Sequence, residues 1–120
     1  MKIDLDLNTN IAIFRPEGKL TVNDFEQACL IIDPQIETVG KLNGLIIQVA
    51  SFPGWESLPA MMKHIQFINN HHQHIAKVVF VTDSIIKDII ESIASHFVAA
   101  EIKTFDYGNI EPAKHWILAK

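Results

Sequence analysis

Two apolar segments constrain the fold of this chain more than any other feature. Residues 44–50 (GLIIQVA) and 75–82 (IAKVVFVT) are rich in Val and Ile, and neither shows the apolar–polar alternation of a half-exposed strand. Strands of this kind are buried on both faces, as in a parallel sheet that helices cover on either side. The two segments therefore predict central strands of an α/β domain.

The remainder of the chain predicts further strands and helices around this pair. Residues 2–7 alternate in polarity, and a short polar turn joins them to a strand at 11–14, as in an antiparallel hairpin. A last strand is predicted at 100–105, and helices are predicted to begin at Thr21, Leu58, Asp83 and Glu111. Alternation of this kind favours one α/β domain over residues 1–120, with a five-stranded, mixed but mostly parallel sheet in the order β-β-α-β-α-β-α-β-α.

Proline and threonine mark the limits of the first helix. Thr21 is a good N-cap, and Asp24 follows where the first-turn amide groups favour negative charge. Pro34 is expected to kink or restart the helix, because it lacks an amide proton and disfavours the α conformation of the residue before it. A second helical segment is then predicted to end near Gly40.

Composition and charge exclude several classes of function. The 120 residues include 10 Lys and Arg against 14 Asp and Glu, a formal net charge of −4, and there is no basic run. Binding to nucleic acid or to anionic lipid is therefore not expected. No apolar run approaches the ~20 residues of a membrane span, so we expect no stable membrane insertion and a cytoplasmic protein.

No motif for a cofactor or a catalytic nucleophile stands out, and no cofactor is predicted. The single cysteine, Cys29, lies on the predicted apolar face of the first helix and is interpreted as a small buried hydrophobe. Four histidines are close in sequence: His64, His71, His72 and His74. Zinc needs three or four ligands, and neither a cysteine nor a carboxylate nearby in sequence completes this set. The sequence thus favours a polar helix end and predicts no metal site.

The loop after the first apolar segment is the most distinctive local feature. Pro53 and Gly54 define a turn that holds two aromatic residues at the carboxyl end of a central strand. With two methionines of the next helix, this loop predicts a ligand-binding or partner-binding surface made of Phe52, Gly54, Trp55, Met61 and Met62. The alternative is that Trp55 packs over the end of the sheet as part of the core.

The helix predicted to begin at Asp83 carries a broad apolar stripe of five isoleucines, at positions 85, 86, 89, 90 and 93. An exposed stripe in a soluble protein usually marks an interface, and we therefore predict a homodimer.

Several short motifs, in this order and spacing, resemble those of the SpoIIAA-like family. They are Gly18-Lys19-Leu20-Thr21 with Asp24, Pro34, the Phe52-x-Gly54-Trp55 turn, Ile75-Ala76-Lys77-Val78-Val79 ending in Asp83, and Phe105 followed by Ala113-x-x-Trp116. The resemblance implies an α/β fold similar to STAS domains, with a more remote likeness to CRAL-TRIO-type lipid-binding domains. STAS domains include anti-sigma factor antagonists, which serine phosphorylation switches.

The position that matches the phosphorylated serine of such antagonists is Ser57, near the predicted start of a helix. A phosphate there would be stabilised by free amide groups, although the Ser-Gly context of the antagonists is missing and Glu56 adds a like charge. The alternative role of Ser57 is a helix N-cap.

The function that these features favour is a non-enzymatic regulatory or protein-interaction domain. One alternative is a carrier or sensor of a small apolar ligand or lipid. A second is an enzyme that uses His64 and Asp83, although Asp83 is also an ordinary N-cap.

Overall fold

The computed structural model describes residues 1–83 and 99–119, and five strands in these ranges form one sheet. The strands are β1 (Lys2–Asp6), β2 (Ile11–Arg15), β3 (Leu42–Gln48), β4 (Ile75–Val81) and β5 (Glu101–Phe105), and they lie in that order across the sheet. β1 pairs antiparallel with β2, whereas every other neighbouring pair is parallel. The predicted α/β class and the mixed, mostly parallel sheet are confirmed.

Three helices of the described ranges cover the two faces of this sheet: α1 (Val22–Val39), α2 (Leu58–His71) and α3 (Ile110–Leu118). A short 3-10 turn, His72–His74, joins α2 to β4. α1 and α2 lie together on one face, where Phe25, Ile32 and Phe67 enter the core. α3 lies on the other face. Within the described ranges, none of the helices combines the length and the apolar character needed to span a bilayer.

The two predicted central strands pair directly with each other. Leu45 pairs with Val78 and Ile46 with Val79 in a parallel register. Successive residues of a strand point to opposite faces, so the first pair joins the core under α1 and α2 and the second joins the core under α3. Burial on both faces accounts for the absence of polar alternation in these segments.

The start of α1 is as the sequence predicts. Thr21 accepts a hydrogen bond from the Asp24 amide at 3.1 Å, and the Asp24 carboxylate accepts one from the Thr21 amide at 2.9 Å, which completes a capping box. At the other end, Gly40 takes a left-handed conformation with φ 97°.

The restart predicted at Pro34 is wrong, because α1 continues through it to Val39. Pro34 lies on the exposed side of the helix, and so does Leu30, whose carbonyl loses its partner. Water can satisfy that carbonyl, while Ile32 and Ile36 on the other side pack against the sheet and hold the helix together.

Gly44 sits where α3 crosses β3. A Cβ atom at this position would lie 2.5 Å from Cγ2 of Ile117, so only glycine lets the helix approach the strand so closely.

The helix predicted to begin at Asp83 falls mainly on residues 84–98, outside the described residues, as does the isoleucine stripe. The homodimer inferred from that stripe stays a prediction.

Candidate functional site

The loop that joins β3 to α2 is fastened to the segment before α1. The Leu20 amide donates a hydrogen bond to the Gly54 carbonyl, and the Glu56 amide donates one to the Leu20 carbonyl, both at 2.9 Å. Leu20 and Trp55 thereby form an isolated parallel bridge. Gly54 has φ 81°, a conformation that other residues rarely adopt. The turn chemistry predicted for this loop is present, and it gives the two aromatic side chains defined positions.

Phe52 and Trp55 contact each other edge to face, with ring centroids 5.0 Å apart. Both stay partly in solvent, at 40% and 37% exposure. The Trp55 indole N–H donates a hydrogen bond of 3.1 Å to Nδ1 of His64. Trp55 is therefore neither a free surface side chain nor a buried lid, because one edge is held by α2 while the rest of the ring faces outward.

His64 connects this aromatic pair to the core. Its ring stacks on Phe25, with centroids 4.8 Å apart. Burial lowers the pKa of His64 below its usual range, so the ring is neutral near pH 7. A neutral ring that accepts at Nδ1 carries its proton on Nε2. The neutral His64 ring is therefore suited to hold the Trp55 side chain in position.

The exposed side of α2 carries an apolar stripe next to the loop. Leu58, Met62 and Ile65 recur at helical spacing and are 66%, 60% and 51% exposed. The core side of the helix is formed instead by Ala60, Phe67 and His71. We call the set Phe52, Trp55, Leu58, Met62 and Ile65 the loop–helix surface.

The two predicted methionines do not lie together on this surface. Met62 faces solvent, whereas Met61 is half-buried on the flank of α2. Leu58 and Ile65 were not predicted as surface residues, since an apolar residue at helical spacing is normally interpreted as core. One feature of the sequence could have indicated their exposure. Ala60 and Phe67 form a second apolar row at helical spacing on another side of the helix, and only one of the two rows can face the core.

Ser57 is the N-cap of α2. Its hydroxyl oxygen accepts a hydrogen bond of 3.2 Å from the Ala60 amide, and Pro59 follows in the first turn. The capping role considered for this residue is thus present, and Ser57 is exposed, as are Trp55 and Leu58 near it in the sequence.

The residues of the second alternative, His64 and Asp83, have different surroundings. Asp83 follows β4, and its carboxylate accepts a hydrogen bond of 3.1 Å from the Tyr107 amide. His64 instead contacts Phe25 and Trp55. Within the described residues, the hydrogen-bond and ring partners of His64 differ from the hydrogen-bond partner of Asp83, so no contact there joins the two as a catalytic pair.

The groove between α1 and α2 brings together three polar side chains that are distant in sequence. Nε2 of His71 lies 3.9 Å from Sγ of Cys29 and 2.6 Å from Oδ1 of Asp33. Cys29 is half-buried, and burial, helped by the Asp33 carboxylate, raises the pKa of its thiol. The interpretation of Cys29 as a plain hydrophobe is incomplete, because its sulfur faces this polar group.

Two shallow hollows adjoin the three residues, with about 100 Å³ and 270 Å³ of space for water-sized molecules. Both are lined by polar as well as apolar side chains. Asn70 lines both hollows, Lys63 lines the smaller one and His74 lines the larger one. They are smaller than the ~300–1,000 Å³ of typical small-molecule sites. Neither is lined by Phe52, Trp55, Met61 or Met62.

Comparison with known proteins identifies the family. No protein with a curated description matches this chain. The crystal structure of an uncharacterised protein of the DUF3478 family from Shewanella loihica PV-4, which has a SpoIIAA-like fold, superposes with a TM-score of 0.76. The match covers 97% of this chain and 90% of that one at 19% identity, and it shows a common fold. The model of the SpoIIAA-like family matches residues 11–118. The chain therefore belongs to the SpoIIAA-like family, as its motifs predicted.

Proposed function

We propose that this chain is a non-enzymatic regulatory domain that binds another protein through the loop–helix surface. The observation that supports this most directly is the exposure of five large apolar side chains on one loop and the helix that follows it. Aromatic residues and methionine are enriched in the centres of protein interfaces, where they bury large areas. A SpoIIAA-like, STAS-like fold agrees with such a role.

The packing beneath this surface supports the proposal further. Trp55 is held by His64 and by the bridge to Leu20, and His64 is stacked on the buried Phe25. A side chain that is already held loses little conformational freedom when a partner covers it. Trp55 is thus the residue we expect to contribute most to binding.

The carrier alternative has less support among the described residues. An apolar ligand needs an enclosed apolar cavity, whereas the two hollows beside α1 and α2 are small and partly polar. The loop–helix surface is convex at α2, since Leu58, Met62 and Ile65 lie on the solvent side of that helix. Such a surface suits a groove or helix of a protein partner better than an isolated small molecule.

The test compares two substitutions on the surface with one matched control. Met62→Ser and Leu58→Ser each remove an exposed apolar side chain, and Leu30→Ser removes one that is 69% exposed on α1. A partner isolated with the wild-type chain is purified, and the Kd of the reconstituted complex is measured for each variant. We expect Met62→Ser and Leu58→Ser to weaken binding by about tenfold or more, which is ~1.4 kcal/mol, and Leu30→Ser to leave it unchanged.

Equal affinity of all four proteins for the purified partner would contradict the proposed surface. Native mass spectrometry of the cellular protein gives a separate outcome, since a co-purifying lipid would favour the carrier instead. Sedimentation at high micromolar concentration tests the homodimer, which a monomer there would exclude.

Regulation through Ser57 and a cytoplasmic location belong to the same proposal. A phosphate on Ser57 would add negative charge at the start of α2, directly before the exposed Leu58, and it would oppose an apolar partner there. Co-expression with a partner kinase should give a phosphopeptide that contains Ser57, whereas an unmodified intact mass would argue against this regulation.

A further inference from the structure

Cys29, Asp33 and His71 meet in the groove between α1 and α2 although His71 is far from the other two in sequence. Cys29 and Asp33 are one helical turn apart on α1 and therefore share a face. His71 ends α2, and its side chain is only 8% exposed. One ligand atom of each residue lies within 4.8 Å of the other two.

The orientation of the His71 ring is set by its neighbours. Nδ1 lies 2.8 Å from the carbonyl oxygen of Phe67, and the ring stacks on the Phe67 side chain with centroids 4.2 Å apart. A carbonyl oxygen only accepts, so Nδ1 carries the proton and donates it. This leaves Nε2 directed at Cys29 and Asp33. Histidines that bind metals are usually oriented by a hydrogen bond of this kind, to a carboxylate, a backbone carbonyl or water.

Nε2 lies 2.6 Å from a carboxylate oxygen of Asp33, which is a hydrogen-bond distance, so in this arrangement a proton lies between the two atoms. The nitrogen and oxygen ligands of one tetrahedral zinc ion lie farther apart, at roughly 3.3 Å, so a bound ion would replace this hydrogen bond. The sulfur of Cys29, 3.9 Å from the same nitrogen, would then complete a set of three ligands.

A nucleophilic cysteine fits the geometry less well. In a cysteine–histidine–aspartate triad the carboxylate contacts one ring nitrogen and the other accepts the thiol proton. Here Cys29 and Asp33 share Nε2, and Nδ1 is engaged with Phe67. The imidazole thus has no nitrogen free to act as a base for the thiol.

We propose that Cys29, Asp33 and His71 form a zinc-binding site. Thiolate, imidazole and carboxylate together are ligands of zinc rather than of magnesium or calcium. A tetrahedral ion with Zn–S of about 2.3 Å and Zn–N of about 2.0 Å places sulfur and nitrogen roughly 3.6 Å apart, close to the 3.9 Å observed. Asp33, whose side chain is 46% exposed, is free to rotate away from Nε2 and make room for the ion.

The surroundings of the three ligands suit a divalent cation. Glu37 and His74 line the same hollow as Cys29, Asp33 and His71, and either one or a water molecule can supply a fourth ligand. Glu26 and Lys63 also lie near Cys29. With Asp33 and Glu37 included, the formal charge of this groove is negative.

The experiment titrates the full chain, reduced and freed of metal by a chelator, with Co²⁺ and then with Zn²⁺. We expect one Co²⁺ per chain with the near-ultraviolet band of a cobalt–thiolate bond, and its displacement by Zn²⁺. Cys29→Ser should abolish that band, and Asp33→Asn should weaken Zn²⁺ binding by tenfold or more. His115→Gln is the matched control, because His115 is exposed on α3 across the sheet, and it should bind like the wild type.

The melting temperature of each metal-free variant confirms that it is folded, and Zn²⁺ should raise the melting temperature of the wild type but not of Cys29→Ser. The proposal is overturned if no thiolate band forms. It is also overturned if Cys29→Ser and Asp33→Asn bind Zn²⁺ as tightly as the wild type, since the exposed histidines would then be the ligands. The site shares no residue with the loop–helix surface, so either proposal can fail alone.

Discussion

Replacing Gly44 with alanine tests the packing of α3 on the central strand. The added Cβ would lie 2.5, 2.6 and 2.9 Å from three carbons of the Ile117 side chain. Carbon atoms in contact are normally about 3.5–4.0 Å apart, so Ile117 or α3 would have to move by roughly 1 Å. Ile117 is buried and branched at Cβ, which leaves it few other rotamers.

The expected loss of stability follows from two opposing effects. Overpacking of a core typically costs about 1–3 kcal/mol. Alanine also restricts the unfolded chain, which stabilises the protein by about 0.4–1 kcal/mol. We therefore expect Gly44→Ala to lower the free energy of unfolding by about 1–2 kcal/mol. For 120 residues this corresponds to a decrease in Tm of roughly 4–8 °C.

Urea unfolding followed by circular dichroism measures this change, and two further variants make it specific. Gly18→Ala is the matched control, since a Cβ there meets nothing within 4 Å, and it should be neutral or slightly stabilising. In an Ile117→Ala background the added methyl enters vacated space, so Gly44→Ala should there become stabilising. If Gly44→Ala is as stable as the wild type, α3 does not approach β3 as described.

Three further predictions concern α1 and His64. Thr21→Ala should lower the free energy of unfolding by about 1 kcal/mol through loss of the capping box, measured by urea unfolding, and an unchanged midpoint would contradict the cap. Pro34→Ala should raise Tm, because it restores a hydrogen bond to the Leu30 carbonyl inside a continuous helix; a lower Tm would show that the proline is not merely tolerated. Because burial lowers the pKa of His64, the unfolded chain binds a proton at this histidine more tightly than the folded chain does. The contribution of the neutral His64 ring to the free energy of unfolding is therefore complete above pH ~6.5 and is lost on acidification below that value. His64→Gln should therefore show a smaller loss between pH 7 and pH 5 than the wild type, and parallel pH profiles would refute this.

The loop–helix surface shows what the local sequence pattern cannot predict. Leu58, Met62 and Ile65 have the spacing of a core stripe, and nothing in α2 itself says which apolar side meets the sheet. The structure buries Ala60 and Phe67 instead, and Phe67 joins Phe25 and Ile32 of α1 in one core. Exposure of the other stripe is a consequence of packing between helices, which no single helix encodes.

The sequence by itself determined those properties that depend on residues close together in the chain. The two mostly buried strands within residues 44–50 and 75–82, the cap at Thr21 and the turn at Gly54 each follow from local periodicity or backbone preference. Only the tertiary structure decided which distant side chains meet. His71 lacked ligands among its sequence neighbours, and it has Cys29 and Asp33 beside it because α1 and α2 lie side by side on one face of the sheet. Contacts between helices and strands depend on how their whole surfaces pack together, and no short segment of the sequence determines that packing.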